Sequence, residues 1–113
     1  MKVTDASVTR FADMFAALGA EPRLRIIRLL LAAHPDGLVV AEIQAETEIA
    51  NSTLSHHLAK LKLDELVTTE REKAFIRYRA NTPALEELLG FLYAECCTRN
   101  RAVEPKRIAA SCK

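Results

Sequence analysis

The sequence predicts a mainly α-helical domain carrying one small β-hairpin, in the order helix, helix, helix, helix, strand, strand, helix. Apolar residues recur at helical spacing through the first 63 positions, and β-branched and aromatic residues alternate in VTTER (67–71) and FIRYRA (75–80). Helical spacing then returns at Leu85, Leu88, Leu89, Leu92 and Tyr93. The length of 113 residues suits one domain, able to bury roughly 65% of its unfolded surface. Half the residues are hydrophobic and 27% are charged, the balance of an ordered globular chain. A net charge of +1 gives no overall pull toward nucleic acid or membrane, so any such binding must come from local charge. The run at residues 29–33 is as long as any apolar run in the chain, far short of the ~18 residues of a membrane span. The start, MKVTDASVTRF, lacks an apolar signal core, so the expected location is the cytoplasm. Three cysteines in a reducing compartment do not suggest a disulfide framework.

The first helix is expected over residues 6–19, with Val8, Phe11, Ala12, Phe15 and Leu18 on its stripe and Gly19 at its end. The second starts near Pro22, carries Leu24, Ile27, Leu30 and Leu31, and stops before the turn His34-Pro35-Asp36-Gly37. A short third helix covers residues 39–46 with Val40 and Ile43 inward. The fourth runs over residues 52–63, with Asn51 as expected N-cap. Glu72-Lys73-Ala74 joins the two strands, and Asn81-Thr82-Pro83 opens the last helix, which frays near Cys97. Residues 1–98 thus form the folded domain, and residues 99–113 a flexible tail carrying Cys112.

A tight turn between the third and fourth helices gives helix-turn-helix spacing, and a hairpin directly behind them gives a winged helix. In NSTLSHHLAKLKL, Leu54, Leu58 and Leu61 form the buried face. That leaves Asn51, Ser52, Thr53, Ser55 and His56 outward, small hydrogen-bonding side chains suited to base edges in a major groove. The alternative is a solvated polar face. Residues 51–80 hold six basic and four acidic side chains, whereas residues 1–50 hold five and seven, so the basic excess falls on the proposed reading face. Lys60, Arg71, Lys73 and Arg77 are candidate phosphate contacts, which carry affinity and its salt dependence but not sequence choice. His57 borders the apolar face and reads as packed or phosphate-touching in preference to metal-ligating.

Phe11, Phe15, Leu18, Leu88, Leu89 and Leu92 on the first and last helices exceed what a small core needs. They either close the monomer or make a two-fold interface, which a palindromic duplex site also asks for. Cys96 and Cys97 are adjacent at the end of the last helix. Soft thiolates select soft metals and metalloids, and three can satisfy a pyramidal arsenic(III) or antimony(III) centre. Closing the ~15-residue loop to Cys112 costs roughly 2.4 kcal/mol, against roughly 10 kcal/mol or more from thiolate coordination. Small core residues and a redox disulfide are the alternatives for the pair.

The runs LGAEPRLRIIRLLL, NSTLSHHLAKLKLDELV and RYRAN resemble the ArsR/SmtB family of winged-helix repressors over residues 8–95. The resemblance implies a homodimer, joined through its first and last helices, that represses an operator and leaves it on binding a metal or metalloid. It maps the recognition helix to residues 51–63 and the wing to residues 67–80. Members usually carry glycine where this chain has Glu65, and again at the wing tip, Lys73-Ala74. The third helix lacks a Cys-x-Cys pair and the last helix has no histidine. What remains resembles the arsenite-responsive subgroup, with a Cys-Cys pair ending the last helix plus a third cysteine: Cys96, Cys97 and, farther out than usual, Cys112. The expected function is an arsenite-responsive repressor. A thiol redox sensor, or a sensor of methylated arsenicals through two cysteines, is the alternative. An enzyme is not expected: a thiol phosphatase or arsenate reductase needs an arginine six residues after its cysteine, where Ala102 and Val103 stand. No catalytic cofactor is expected.

Overall fold

Apolar residues three and four apart draw five helices onto one core, and a three-stranded sheet closes its side. The structure, a computed structural model, describes residues 5–94 and 102–110. Its elements are α1 (Asp5–Leu18), α2 (Glu21–Ala32), β1 (Leu38–Val39), α3 (Val40–Thr47), α4 (Asn51–Leu63), β2 (Val67–Glu72), β3 (Phe75–Ala80), α5 (Thr82–Ala94) and α6 (Pro105–Ala110). This is the mainly helical winged arrangement that the sequence predicts, with two additions. β1 is two residues long, too short for alternation to show, and pairs antiparallel with β3 at Leu38–Tyr78 and Val39–Arg77. α6 lies within the tail expected to be flexible, and Pro105 opens it, where a missing N–H costs nothing.

The strand order is β1-β3-β2, and β2 pairs antiparallel with β3 from Val67–Ala80 to Glu72–Phe75. The wing tip is therefore the two-residue turn Lys73-Ala74, one residue shorter than expected, with Lys73 at a positive φ of 55°. β1 can reach the sheet because Gly37 has φ 73°, and a Cβ there would sit 2.4 Å from the Tyr78 carbonyl oxygen.

The core comprises Phe11, Met14 and Ala17 of α1, Ile26, Ile27 and Leu30 of α2, Ile43 of α3, and Leu54, Leu58 and Leu61 of α4. Leu66, Val67, Ala80, Ala84 and Leu88 complete it. Two stripes sit differently from the expectation. On α1 the inward line is Phe11, Met14 and Ala17, so Val8, Ala12 and Phe15 face out. On α2, Ile26 replaces Leu24 and Leu31, which are exposed. Both helices carry apolar residues beyond a single face, and spacing alone cannot choose between two overlapping stripes. Phe11, 5% exposed, stacks on Phe91 with ring centroids 4.5 Å apart, and Leu88 is 1% exposed. These two candidate interface residues are thus core residues of the single chain.

α4 ends in a Schellman motif. The Leu66 N–H donates to the Leu61 carbonyl at 2.9 Å, and the Glu65 N–H donates to the Lys62 carbonyl at 3.0 Å. Glu65 takes the left-handed position with φ 61°, where the family resemblance implies glycine. Asn81 then ties this corner to α5: its Nδ2 donates to the Glu65 carbonyl at 2.8 Å and its Oδ1 accepts from the Ala84 N–H at 3.3 Å. Arg10 adds exposed ion pairs to Glu65 and Glu87 at 3.5 and 3.1 Å. A side chain in the left-handed region costs roughly 1–2 kcal/mol, and an exposed ion pair returns less. Glu65→Gly is therefore expected to raise the unfolding free energy by about 0.5–1 kcal/mol in urea titration, since glycine also loosens the unfolded chain.

Candidate nucleic-acid interface

The α3–α4 unit is built by local hydrogen bonds and one apolar stripe. Glu42 Oε1 accepts the Val39 N–H at 3.0 Å and starts α3. Thr47 Oγ1 donates to the Ile43 carbonyl at 2.8 Å, and Glu48 at φ 57° ends the helix. Ile49 and Ala50 complete the turn. Ala50, not Asn51, occupies the N-cap of α4, and Asn51 is its first helical residue. No side chain caps this end among the described residues, so the Asn51, Ser52 and Thr53 amides sit at an open helix N-terminus. Such an end favours an anion through its orphan donors and the helix dipole.

Leu54, Leu58 and Leu61 are all at most 2% exposed, so the opposite face of α4 is fixed outward. Ser52, Thr53, Ser55 and His56 are exposed around it, and Asn51 is exposed at the helix start. Donors and acceptors of modest length on the first two turns of a helix can reach base edges. The basic candidates divide into two groups. Lys60 Nζ lies 2.9 Å from Asp64 Oδ2. Arg77 donates through Nε to both Glu72 oxygens at 3.0 and 2.9 Å and through Nη1 to the Gly37 carbonyl at 3.3 Å. Arg79, which adds to the local positive charge, pairs with Glu70 at 2.9 Å. These charges are largely spent within the chain. Arg71 and Lys73 are exposed, with no ion pair among the described residues, and so is Lys62 on α4. The counted excess of positive charge therefore resides at the wing tip and the end of α4.

His57 is half-buried, and its Nδ1 lies 3.2 Å from Arg23 Nη1. A guanidinium only donates, so Nδ1 accepts and the neutral ring carries its proton on Nε2. Desolvation by burial holds the His57 pKa below its ordinary value of 6.5, and the positive Arg23 and then His56 push it further the same way. Arg23 itself was not singled out from the sequence. Its partners are 6 and 34 residues away, and nothing in local spacing reports them.

Phe15, Leu89 and Leu92 remain on the surface, 38%, 63% and 62% exposed, and Leu18 packs partly against the core. Cys96, Cys97 and Cys112 lie outside the described residues. Among the described residues, no three His, Cys, Asp or Glu side chains are grouped to hold a metal ion, and no helix is long and apolar enough to cross a membrane.

A winged helix-turn-helix with an exposed polar helix is thereby defined. Residues 13–70 match a family described as a helix-turn-helix domain. The chain is 31% identical over 88 residues to the transcriptional activator HlyU of Vibrio cholerae, covering 78% of this chain and 79% of HlyU. It is 28% identical over 80 residues to the transcriptional repressor SdpR of Bacillus subtilis, covering 71% and 86%. The solved structure of V. cholerae HlyU covers 80% of this chain and 99% of HlyU, with TM-score 0.64 and 32% identity. Its reduced form covers 83% and 96%, with TM-score 0.65 and 28% identity. The homodimeric winged helix-turn-helix DNA-binding domain Mb0332 of Mycobacterium bovis covers 92% and 98%, with TM-score 0.64 and 25% identity. The chain belongs to the ArsR/SmtB-type winged-helix transcriptional regulators.

A neutral His57 has a pH signature. Its folded pKa lies below the unfolded value, so its contribution to stability is complete above about pH 6.5 and is lost as the pH falls through the lower folded value. His57→Gln keeps an acceptor without the titration. It is expected to flatten the acid side of the stability–pH curve measured by chemical unfolding.

Proposed function

We propose that the protein is a cytoplasmic repressor that binds a palindromic operator as a homodimer and releases it when arsenic(III) or antimony(III) binds Cys96, Cys97 and Cys112. The carrying observation for DNA binding is the outward cluster Asn51, Ser52, Thr53, Ser55 and His56, opposite a fully buried leucine face. Two such helices related by a two-fold axis match half-sites one DNA turn apart. The exposed Phe15, Leu89 and Leu92, with Leu18 beside them, supply apolar surface for pairing. The homodimeric state of Mb0332 supports the same arrangement.

The inducer assignment rests on donor chemistry. Three thiols are the soft ligand set of trivalent arsenic, and two adjacent ones lie just beyond α5, the helix that carries Leu89 and Leu92. Were the helix to run on through both, adjacent residues would point ~100° apart, so capture of one ion by both would ask for an unwound helix end and would perturb the interface. A gel-shift titration with arsenite tests this. Wild type is expected to leave its duplex, and Cys96→Ser and Cys97→Ser to stay bound. Release of all three cysteine variants as readily as wild type contradicts thiol sensing of arsenic. If Cys112→Ser alone responds normally, two thiols suffice and methylated trivalent arsenicals become the inducers.

The existence of a reduced form of HlyU favours a second reading, in which oxidation of the thiol pair resets the dimer. Release by peroxide and not by arsenite would select it.

The wing supplies charge in either reading. Arg71→Ala and Lys73→Ala are each expected to weaken binding of all duplexes and lower the salt slope by about 1. Arg77→Ala, already engaged by Glu72, is expected to change the slope less. Fluorescence anisotropy across a salt series reads both.

A further inference from the structure

We propose that Arg23 is a positioning residue for DNA reading: one guanidinium, bonded to the end of α1 and to His57 of α4, sets the orientation of the reading helix and makes sequence discrimination fall in acid. This rests on the proposed DNA-binding function.

Arg23 Nε donates to the Ala17 carbonyl at 2.7 Å, and Nη1 faces His57 Nδ1 at 3.2 Å. Ala17 lies in the last turn of α1, where carbonyls have no intrahelical donor and the helix dipole is negative, so a cation is held there twice over. The leucine stripe of α4 fixes how deep that helix sits. Apolar contact is non-directional, however, and leaves rotation and sliding weakly defined. The directional bond across to α2 comes from His57, next in sequence to the outward His56 and two residues from Ser55. A helix turned by a fraction of its pitch moves those side chains off the base edges they meet. The same guanidinium touches α1, which exposes Val8 and Phe15, so displacement of α1 reaches α4 through one side chain.

Protonation of His57 removes the Nδ1 lone pair and sets two cations 3.2 Å apart. Arg23 of α2 and His56 of α4 are the charged or titratable groups acting on His57, and both favour its neutral form. The contact therefore opens as the pH falls through the lowered His57 pKa, on the acid side of an ordinary imidazole.

The test is the ratio of affinities for a duplex selected by wild type from a random pool and for its scrambled counterpart, measured from about pH 5.5 to 8 across the histidine range. Wild type is expected to lose discrimination on the acid side. Arg23→Gln is expected to lower the ratio about tenfold at neutral pH and remove the acid-dependent loss. Arg23→Lys keeps the charge but not the two-pronged donation, and falls between. His57→Gln retains an acceptor, so it keeps the neutral ratio within about threefold while flattening the acid arm. Nitrogen NMR of His57 in the free protein, expected to show the Nε2–H tautomer, reads the bridge without DNA or any substitution. The proposal is overturned if folded Arg23→Gln retains the wild-type ratio and acid arm, or if His57 carries its proton on Nδ1. If wild type binds neither duplex, the DNA-binding reading fails and the positioning role falls with it, whereas the NMR result still reports the bridge separately.

Discussion

Burial of Leu54, Leu58 and Leu61 in the core is the constraint on which the rest depends. Three leucines spaced four and three apart turn one face of α4 inward, so the polar residues between them face out, while the finer rotation is left to directional bonds. The setting is reinforced at both ends. Glu48 in the left-handed region stops α3 so that the turn can reach α4, and the Schellman motif at Glu65 sends the chain into β2 beside the helix it has left. α4 and the β2–β3 hairpin are therefore joined through one hydrogen-bonded corner.

Charge placement on this unit is more selective than a count suggests. Arg77 and Arg79 face Glu72 and Glu70 within the hairpin, where they hold strands and the β1 approach together. The cations left over, Arg71, Lys73 and Lys62, lie at the periphery, where phosphates of a duplex would pass. A nearly neutral protein can thus present a local positive rim. Weak attraction per chain also makes pairing valuable, because two copies double the phosphate contacts.

Much of this was legible in the sequence. The α4 leucine stripe, the hairpin and the exposed polar cluster follow from periodicity, and the observed register places Val67 opposite Ala80. The left-handed Glu65 and Lys73 were signalled indirectly, as positions where the family resemblance implies glycine. What was not legible had physical causes. A two-residue strand has no period, and apolar residues on several sides of α1 left Val8 and Phe15 indistinguishable from Met14 and Ala17. Phe11 and Leu88 became core through the α1–α5 contact, and Arg23 gained its role through a bond 34 residues away. Tertiary partners decide such cases.

The central claim is that the outward N-terminal half of α4 meets DNA, with the wing tip beside it. Amide chemical-shift mapping of the protein with a selected duplex tests it most directly. Perturbations are expected at residues 51–56 and 71–73, with the α5 surface around Leu89 and Leu92 unchanged. Perturbations centred on α5 and α6, with residues 51–56 silent, would contradict it.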